Sequence, residues 1–206
     1  MKSTQLYIFD FDGTLADTLP LCFMCFRETF LKYNQQYLTD QKIASYFGGS
    51  EQQIIEQIVQ GSLERKQQAV EFFYKLYSAN HHLYATCPPA IFQLLHQLKQ
   101  QQKTLAIFTG KGRRSLEYSL DALKLREFFE ITISDDDIGN SKPAPDGLLK
   151  IIEKLKIDKK QAVYFGDSQA DLISGQQAGI ETYLIDWITK PTDTILLPNE
   201  EHTELV

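Results

Sequence analysis

The sequence is poor in the features that mark several classes of protein. It has three cysteines among 206 residues, and an odd number does not indicate a disulfide framework. No run approaches 18 consecutive apolar residues, so we expect no transmembrane helix. Its 11 glycines and 7 prolines are too few for a collagen-like or low-complexity chain. The content of hydrophobic residues, 43%, is typical of a globular protein.

The sequence also lacks a surplus of positive charge, since 21 basic residues face 27 acidic ones and give a formal net charge of −6. A protein that grips duplex phosphate usually has a basic face. We therefore expect no nucleic-acid partner, and no membrane partner either. The first twelve residues lack the apolar region and the small-residue cleavage site of a signal peptide, which favours a cytoplasmic location.

Cys22 and Cys25 form a C-F-M-C pattern inside an apolar segment with helical character. No second cysteine pair and no nearby histidine completes a zinc-binding set. We interpret both residues as buried structural thiols rather than as redox or metal-binding groups.

Short apolar runs alternate with helical patterns over most of the chain. Strands are predicted at 6–9, 104–108, 130–134, 162–165 and 181–185, and helices at 90–101, 113–125, 146–155 and 171–178. Such alternation requires crossover connections and a parallel sheet that is covered on both faces. The fold class is therefore α/β, with a Rossmann-like parallel sheet at its core.

An all-helical segment interrupts this alternation directly after the first strand. Its predicted helices are 20–33, 39–47, 51–60 and 63–80. An insert at this point lies over the carboxyl ends of the strands, where ligands bind in open α/β sheets. We expect a core domain of residues 1–15 and 84–206, a helical cap domain of residues 16–83, and an irregular tail over 186–206.

Two carboxylates follow the first strand in the motif Asp10-Phe11-Asp12-Gly13-Thr14. One of them could act as a nucleophile or metal ligand while the other acts as acid and base. The structural alternative is an acidic turn between strand and helix. The motif alone does not decide between the two.

Two further motifs suit an anion. Thr109 and Gly110 follow the second strand and offer a hydroxyl and a free backbone N–H. Lys142 stands in Ser141-Lys142-Pro143 and could reach an anion from its loop. A helix cap and an exposed loop lysine are the structural alternatives.

A last motif, Gly166-Asp167-Ser168-Gln169-Ala170-Asp171, follows the fourth strand. Its oxygen-rich side chains suit a hard cation such as Mg²⁺, although acids at a helix N-terminus also complement the helix dipole. All four motifs fall at the carboxyl ends of predicted strands, so their loops converge. It is improbable that all four motifs have a purely structural role.

In these four motifs the chain resembles the haloacid dehalogenase-like (HAD) hydrolases over nearly its whole length. The D-F-D-G-T-L-A-D-T and G-D-S-x-x-D motifs resemble the phosphatase and phosphomutase branch with a small helical cap, which includes phosphoglycolate phosphatases and β-phosphoglucomutases. An aspartate at position 12 speaks against dehalogenation, which needs only the nucleophile.

The resemblance implies a role for each motif residue. Asp10 would be the nucleophile that forms an aspartyl-phosphate, and Asp12 the acid and base. Phosphate would be held by Gly13, Thr109, Gly110, Lys111 and Lys142, with Lys142 also neutralising charge on Asp10. Mg²⁺ would be bound by Asp10, the backbone carbonyl of Asp12, and Asp167, with Asp171 supporting it through a water.

These roles predict a Mg²⁺-dependent phosphatase that acts on a small phosphorylated metabolite. We expect it to be a monomer or homodimer. The favoured substrates are of the phosphoglycolate type or sugar phosphates, and inorganic pyrophosphate is a further alternative. The alternatives are a phosphomutase of the β-phosphoglucomutase type and a non-catalytic phospho-ligand-binding module. Near the phosphate loop, Lys111, Arg113 and Arg114 could bind a second anionic group of the substrate, or form a solvated first helical turn.

Overall fold

Five short apolar runs form one parallel sheet in the computed structural model, which describes residues 4–197. The strands are β1 (Leu6–Phe9), β2 (Thr104–Phe108), β3 (Ile131–Ile133), β4 (Ala162–Gly166) and β5 (Glu181–Leu184). Their order is β3-β2-β1-β4-β5, and every neighbouring pair is parallel. The predicted α/β class is confirmed, and β1 and β2 have the predicted bounds.

Both faces of the sheet are covered because alternate residues of β1, β2 and β4 point to opposite sides. One face packs on α5 (Pro89–Gln100) and α6 (Arg113–Ala122). The other packs on α7 (Asp146–Leu155) and α8 (Gln169–Ala178). Within β1, for example, Tyr7 and Phe9 belong to the first core and Leu6 and Ile8 to the second.

The segment between β1 and α5 contains four helices: α1 (Leu19–Asn34), α2 (Asp40–Ala44), α3 (Glu51–Ile58) and α4 (Leu63–Tyr84). We refer to them as the α1–α4 unit. They bury a hydrophobic core of their own, in which the rings of Phe26 and Phe73 lie 4.7 Å apart. Separate cores favour a cap domain beside the sheet domain, but the boundaries at residues 16–83 stay a prediction.

Several predicted helix ends are wrong by a few residues. The α2 helix stops at Ala44 rather than 47, because Ser45 and the two residues after it form a turn before Gly48-Gly49. In α6 the helix ends at Ala122 rather than 125, and Lys124 adopts a left-handed backbone with φ 56°. The α4 helix instead continues to Tyr84, four residues beyond the prediction.

The chain after β5 has neither helix nor strand over residues 186–197, as predicted for that part of the tail. Trp187 anchors it, since its indole N–H donates to the carbonyl of Thr14 and its ring packs on Phe165. The rest of the predicted irregular tail lies outside the described residues, as do residues 1–3. Within residues 4–197, no helix has both the length and the apolar character needed to cross a membrane.

All three cysteines are free thiols, and the predicted burial of Cys22 and Cys25 is confirmed. Burial raises the pKa of Cys22 to about 12. A thiol with so high a pKa is a poor nucleophile at neutral pH. Both side chains belong to the hydrophobic core of the α1–α4 unit, and Cys22 also contacts the ammonium of Lys111 at 3.5 Å.

Replacing Gly147 with alanine should destabilise the sheet domain. A Cβ at this position in α7 would lie 2.1 Å from the ring of Phe108, which is fully buried. Overpacking costs about 1–3 kcal/mol, against about 1 kcal/mol gained from helix propensity. We expect a net loss of up to about 2 kcal/mol in the free energy of unfolding, measured by urea titration.

Gly139→Ala is the matched control, because a Cβ there meets no atom within 4 Å. Equal stability of the two variants would contradict the close approach of α7 to β2.

Candidate active site

A cavity of about 650 Å³ lies between the carboxyl edge of the sheet and the α1–α4 unit. The loops after β1, β2 and β4 form one wall, because these adjacent parallel strands end at the same edge. The opposite wall comes from α1, α3 and the loop that follows α2. The four motifs picked out from the sequence all contribute to this cavity.

Lys142 joins two of the motif aspartates. Its ammonium nitrogen lies 2.9 Å from Oδ1 of Asp10 and 2.6 Å from Oδ1 of Asp171. Burial by itself would lower the pKa of Lys142, but these two carboxylates raise it above its ordinary value. The lysine therefore remains charged and holds Asp10 in a fixed position.

Asp171 has no exposed surface, and three side chains donate hydrogen bonds to its carboxylate. Besides Lys142, the hydroxyl of Tyr164 donates to Oδ1 at 2.5 Å and the hydroxyl of Ser168 donates to Oδ2 at 2.5 Å. Asp171 thus lies behind Lys142 as a support for the site.

Negative charge is concentrated where Mg²⁺ was expected. Carboxylate oxygens of Asp10, Asp167 and Asp171 lie within 4.8 Å of one another. Burial raises the pKa of Asp10 to about 7, although Lys142 opposes the shift. Burial, followed by repulsion from Asp171, raises the pKa of Asp167 to about 6. A hard cation among these oxygens would relieve the repulsion, so the residues fit the expected metal.

Gly13 allows the loop after β1 to approach Asp167. Its backbone has φ 78°, and a Cβ would lie 2.3 Å from Oδ2 of Asp167. Any other residue would therefore displace the carboxylate from the cluster, which explains why glycine follows Asp12.

Lys111 makes a second buried ion pair, with Asp12. Its ammonium nitrogen lies 3.1 Å from both carboxylate oxygens of Asp12 and 3.5 Å from Oε1 of Glu51. Burial opposes the charge, but the surrounding groups, Asp12 first among them, raise the pKa of Lys111 well above its ordinary value. The hydroxyl of Thr18, just before α1, also donates to Asp12.

Glu51 lines the cavity although the sequence did not single it out as a site residue. It opens α3, yet its carboxylate crosses the cavity edge and accepts from the N–H of Gly112 at 2.8 Å and the hydroxyl of Ser115 at 2.6 Å. These groups form the N-terminus of α6, where the helix dipole favours an acid. The only signal was an acidic residue directly after Gly48-Gly49-Ser50.

The predicted anion loop is present after β2. The hydroxyl of Thr109 accepts from the N–H of Lys111 at 3.2 Å, which fixes the turn. The N–H of Gly110 makes no hydrogen bond within residues 4–197, and Gly110 lines the cavity. This N–H is therefore available to a bound anion.

Arg113 and Arg114 do not line the cavity, so for these two residues the structure favours the alternative of a first helical turn outside the site. Arg113 pairs with Glu117 and Asp137, and Arg114 pairs with Glu71 at 2.5 Å. Their first-turn position on α6 turns both guanidinium groups towards acids outside the cavity. Of the three cations, only Lys111 reaches the site.

Residues 7–185 match the family model described as haloacid dehalogenase-like hydrolase. The chain is 29% identical over 188 residues to pyrophosphatase PpaX of Bacillus cereus (strain B4264), covering 89% of this chain and 83% of that protein. It is 28% identical over 183 residues to phosphoglycolate phosphatase of Aquifex aeolicus, covering 89% and 85%.

Solved structures that are similar to this chain include a haloacid dehalogenase-like hydrolase and a β-phosphoglucomutase. The crystal structure of a putative haloacid dehalogenase-like hydrolase from Bacteroides fragilis is 30% identical with a TM-score of 0.67, covering 87% of this chain and 86% of that one. A putative β-phosphoglucomutase from Thermotoga maritima is 26% identical with a TM-score of 0.68, covering 88% and 85%.

Replacing Glu51 with glutamine should weaken the attachment of the α1–α4 unit to the sheet domain. The change removes a buried charge from Lys111 and one acceptor from the Gly112–Ser115 turn. Leaving buried groups without their partner costs about 1–3 kcal/mol, and we expect a loss of that size in urea unfolding.

Glu71→Gln serves as the matched control. Glu71 also joins the two parts of the molecule, through Arg114, but its side chain is 66% exposed, and exposed pairs contribute about 0–1 kcal/mol. A Glu51→Gln protein as stable as the Glu71→Gln protein would contradict the bridging role of Glu51.

Proposed function

The chain belongs to the haloacid dehalogenase-like hydrolase family and is a phosphomonoester hydrolase of that family; we propose that it cleaves a small phosphate monoester with Mg²⁺ through an aspartyl-phosphate. The observation that carries this proposal is the buried Lys142–Asp10 pair at 2.9 Å. It fixes a carboxylate at the carboxyl edge of the sheet, beside the free N–H of Gly110.

Asp10 is the proposed nucleophile. One of its carboxylate oxygens attacks phosphorus while the bond from phosphorus to the leaving oxygen breaks. Lys142 and the N–H of Gly110 face the phosphoryl oxygens, and positioned positive groups are the main source of catalysis in phosphoryl transfer. The product of this half-reaction is a phosphoryl group on Asp10 and a free alcohol.

Asp12 is the proposed acid and base. In the first half it gives its proton to the leaving oxygen, and in the second it takes a proton from the water that attacks phosphorus. That attack breaks the bond between phosphorus and Asp10, so phosphate leaves and Asp10 is restored. Lys111 and Thr18 hold the Asp12 carboxylate for both steps.

Mg²⁺ is the proposed cofactor. Asp10, Asp167 and the backbone carbonyl of Asp12 would hold it, with Asp171 supporting it through a water. The ion would neutralise charge on the phosphoryl oxygens and keep Asp10 ionised. The close approach of carboxylate oxygens from Asp10, Asp167 and Asp171 supports this proposal, because a cation would offset the burial and mutual repulsion that raise the pKa values of Asp10 and Asp167.

The α1–α4 unit is the proposed cap domain, residues 16–83, closing over a core of residues 1–15 and 84–206. This proposed cap domain would select between two classes of leaving group. One is anionic, as in phosphoglycolate or pyrophosphate, and the other is uncharged, as in a sugar phosphate. We also propose a monomer or homodimer in the cytoplasm. Three free thiols are consistent with a reducing compartment.

Replacing Asp10 with asparagine should abolish phosphate release, because an amide cannot act as the nucleophile. We expect the wild-type protein to release phosphate from at least one small ester with Mg²⁺ and to stop when the metal is chelated. The variant should be slower by about 10³-fold or more, as measured with a phosphate assay over a panel of esters.

Asp121→Asn is the control for this substitution, since Asp121 is exposed and, within residues 4–197, its side chain pairs only with Arg126. It should keep wild-type rates. An Asp10→Asn protein within tenfold of wild type would show that Asp10 is not the nucleophile.

A mutase would behave differently in water. It must keep its phosphoryl group until the sugar phosphate returns, whereas a phosphatase admits water. We expect the phospho-enzyme to decay as fast as turnover in a rapid-quench experiment. A phospho-enzyme that persists over many turnover times would favour the β-phosphoglucomutase alternative.

A further inference from the structure

The cavity wall opposite Asp10 is apolar. Apart from the carboxylate of Glu51 at one side, the α1–α4 unit presents mainly apolar side chains here: Leu19, Phe23, Phe26, Ala44, Phe47 and Ile54. The rings of Phe23 and Phe47 stack with centroids 5.7 Å apart, and Phe47 is 41% exposed. Among the described residues that line the cavity, none from this unit carries a positive charge.

Both cations of the cavity are already committed to carboxylates. Lys142 contacts Asp10 and Asp171, and Lys111 contacts Asp12 and Glu51. A second anionic group on a substrate would therefore meet no unpaired cation among the described lining residues. It would instead approach the carboxylate of Glu51, and like charges in a poorly solvated site repel strongly.

The size of the cavity also exceeds the needs of a very small substrate. Its volume of about 650 Å³ lies within the range of roughly 300–1,000 Å³ that is typical of pockets for ligands of drug-like size. The phosphoryl group takes up the end at Asp10. The remaining volume borders aromatic rings. Packing of an apolar group against these rings is favourable, whereas a charged group would lose its hydration there at a cost in free energy.

We infer that the leaving group of the substrate is an uncharged alcohol with an apolar or aromatic face, which packs against Phe23, Phe26 and Phe47. This inference rests on the proposed phosphatase function. It decides between the two classes of leaving group in favour of the uncharged one, and against phosphoglycolate and pyrophosphate.

The direct test compares benzyl phosphate with phosphoglycolate in the presence of Mg²⁺. Both are esters of primary alcohols and differ in whether a ring or a carboxylate faces the apolar wall. We expect kcat/KM to be at least about tenfold higher for benzyl phosphate, which corresponds to about 1.4 kcal/mol. An equal or higher value for phosphoglycolate or pyrophosphate would overturn the inference.

Phe47→Arg should reverse the preference by placing a cation in the wall. We expect the ratio of the two kcat/KM values to fall at least tenfold, whereas Phe47→Leu, which keeps the wall apolar, should retain it. Leu31→Arg is the control, because Leu31 is an exposed residue of α1 outside the cavity. An unchanged ratio in a folded Phe47→Arg protein would count against the inference.

Binding of matched phosphonates separates this inference from the proposed function. Benzylphosphonate and phosphonoacetate differ only in the ring and the carboxylate, and calorimetry needs no turnover. Tighter binding of benzylphosphonate without hydrolysis of any ester would show that the apolar wall selects an uncharged group next to phosphorus, while refuting the proposed phosphatase activity. Tighter binding of phosphonoacetate, or binding of neither, would overturn the inference, whatever the outcome of the hydrolysis assays.

Discussion

Repulsion among carboxylates is the constraint on which the site depends. Parallel strands bring the loops after β1 and β4 to one edge of the sheet, and each loop carries two acids. Two lysines hold three of these four acids. Lys142 separates Asp10 from Asp171, and Lys111 holds Asp12. Because both lysine side chains are at most 9% exposed and their main partners at most 21%, replacing either lysine would leave a carboxylate of the site without its counter-charge.

The α1–α4 unit completes the second of these ion pairs. Glu51 belongs to that unit, yet it binds the turn at the start of α6 and lies 3.5 Å from Lys111. The position of the unit and the position of Lys111 are therefore linked. Because Lys111 holds Asp12, a movement of α3 away from the sheet would also change the surroundings of the proposed acid and base.

Local sequence predicts the sheet and its loops well, because buried strands are short apolar runs with turn residues after them. The bounds of β1 and β2 follow from this alone, and those of the helix α7 were also predicted correctly. Helix ends such as Ala44 and Tyr84 do not, since turn formation and packing decide them. Contacts between residues that are distant in the sequence cannot be predicted from local sequence patterns either.

Nothing in the local sequence joins Glu51 to Gly112, or turns Arg114 towards Glu71, because these contacts arise from how the α1–α4 unit packs on α6. The same limit applies to the substrate. The motifs indicate phosphoryl transfer, whereas the apolar wall of the cavity emerges only when α1, α3 and the loop after α2 come together.

The most direct test of the account is to locate the phosphoryl group on the protein. Borohydride reduces an aspartyl-phosphate to homoserine, and mass spectrometry identifies the modified position. After rapid quenching with a hydrolysed ester, we predict homoserine at position 10. Homoserine at position 12 or 167, or at no position while phosphate is being released, would contradict the role of Asp10 as the nucleophile.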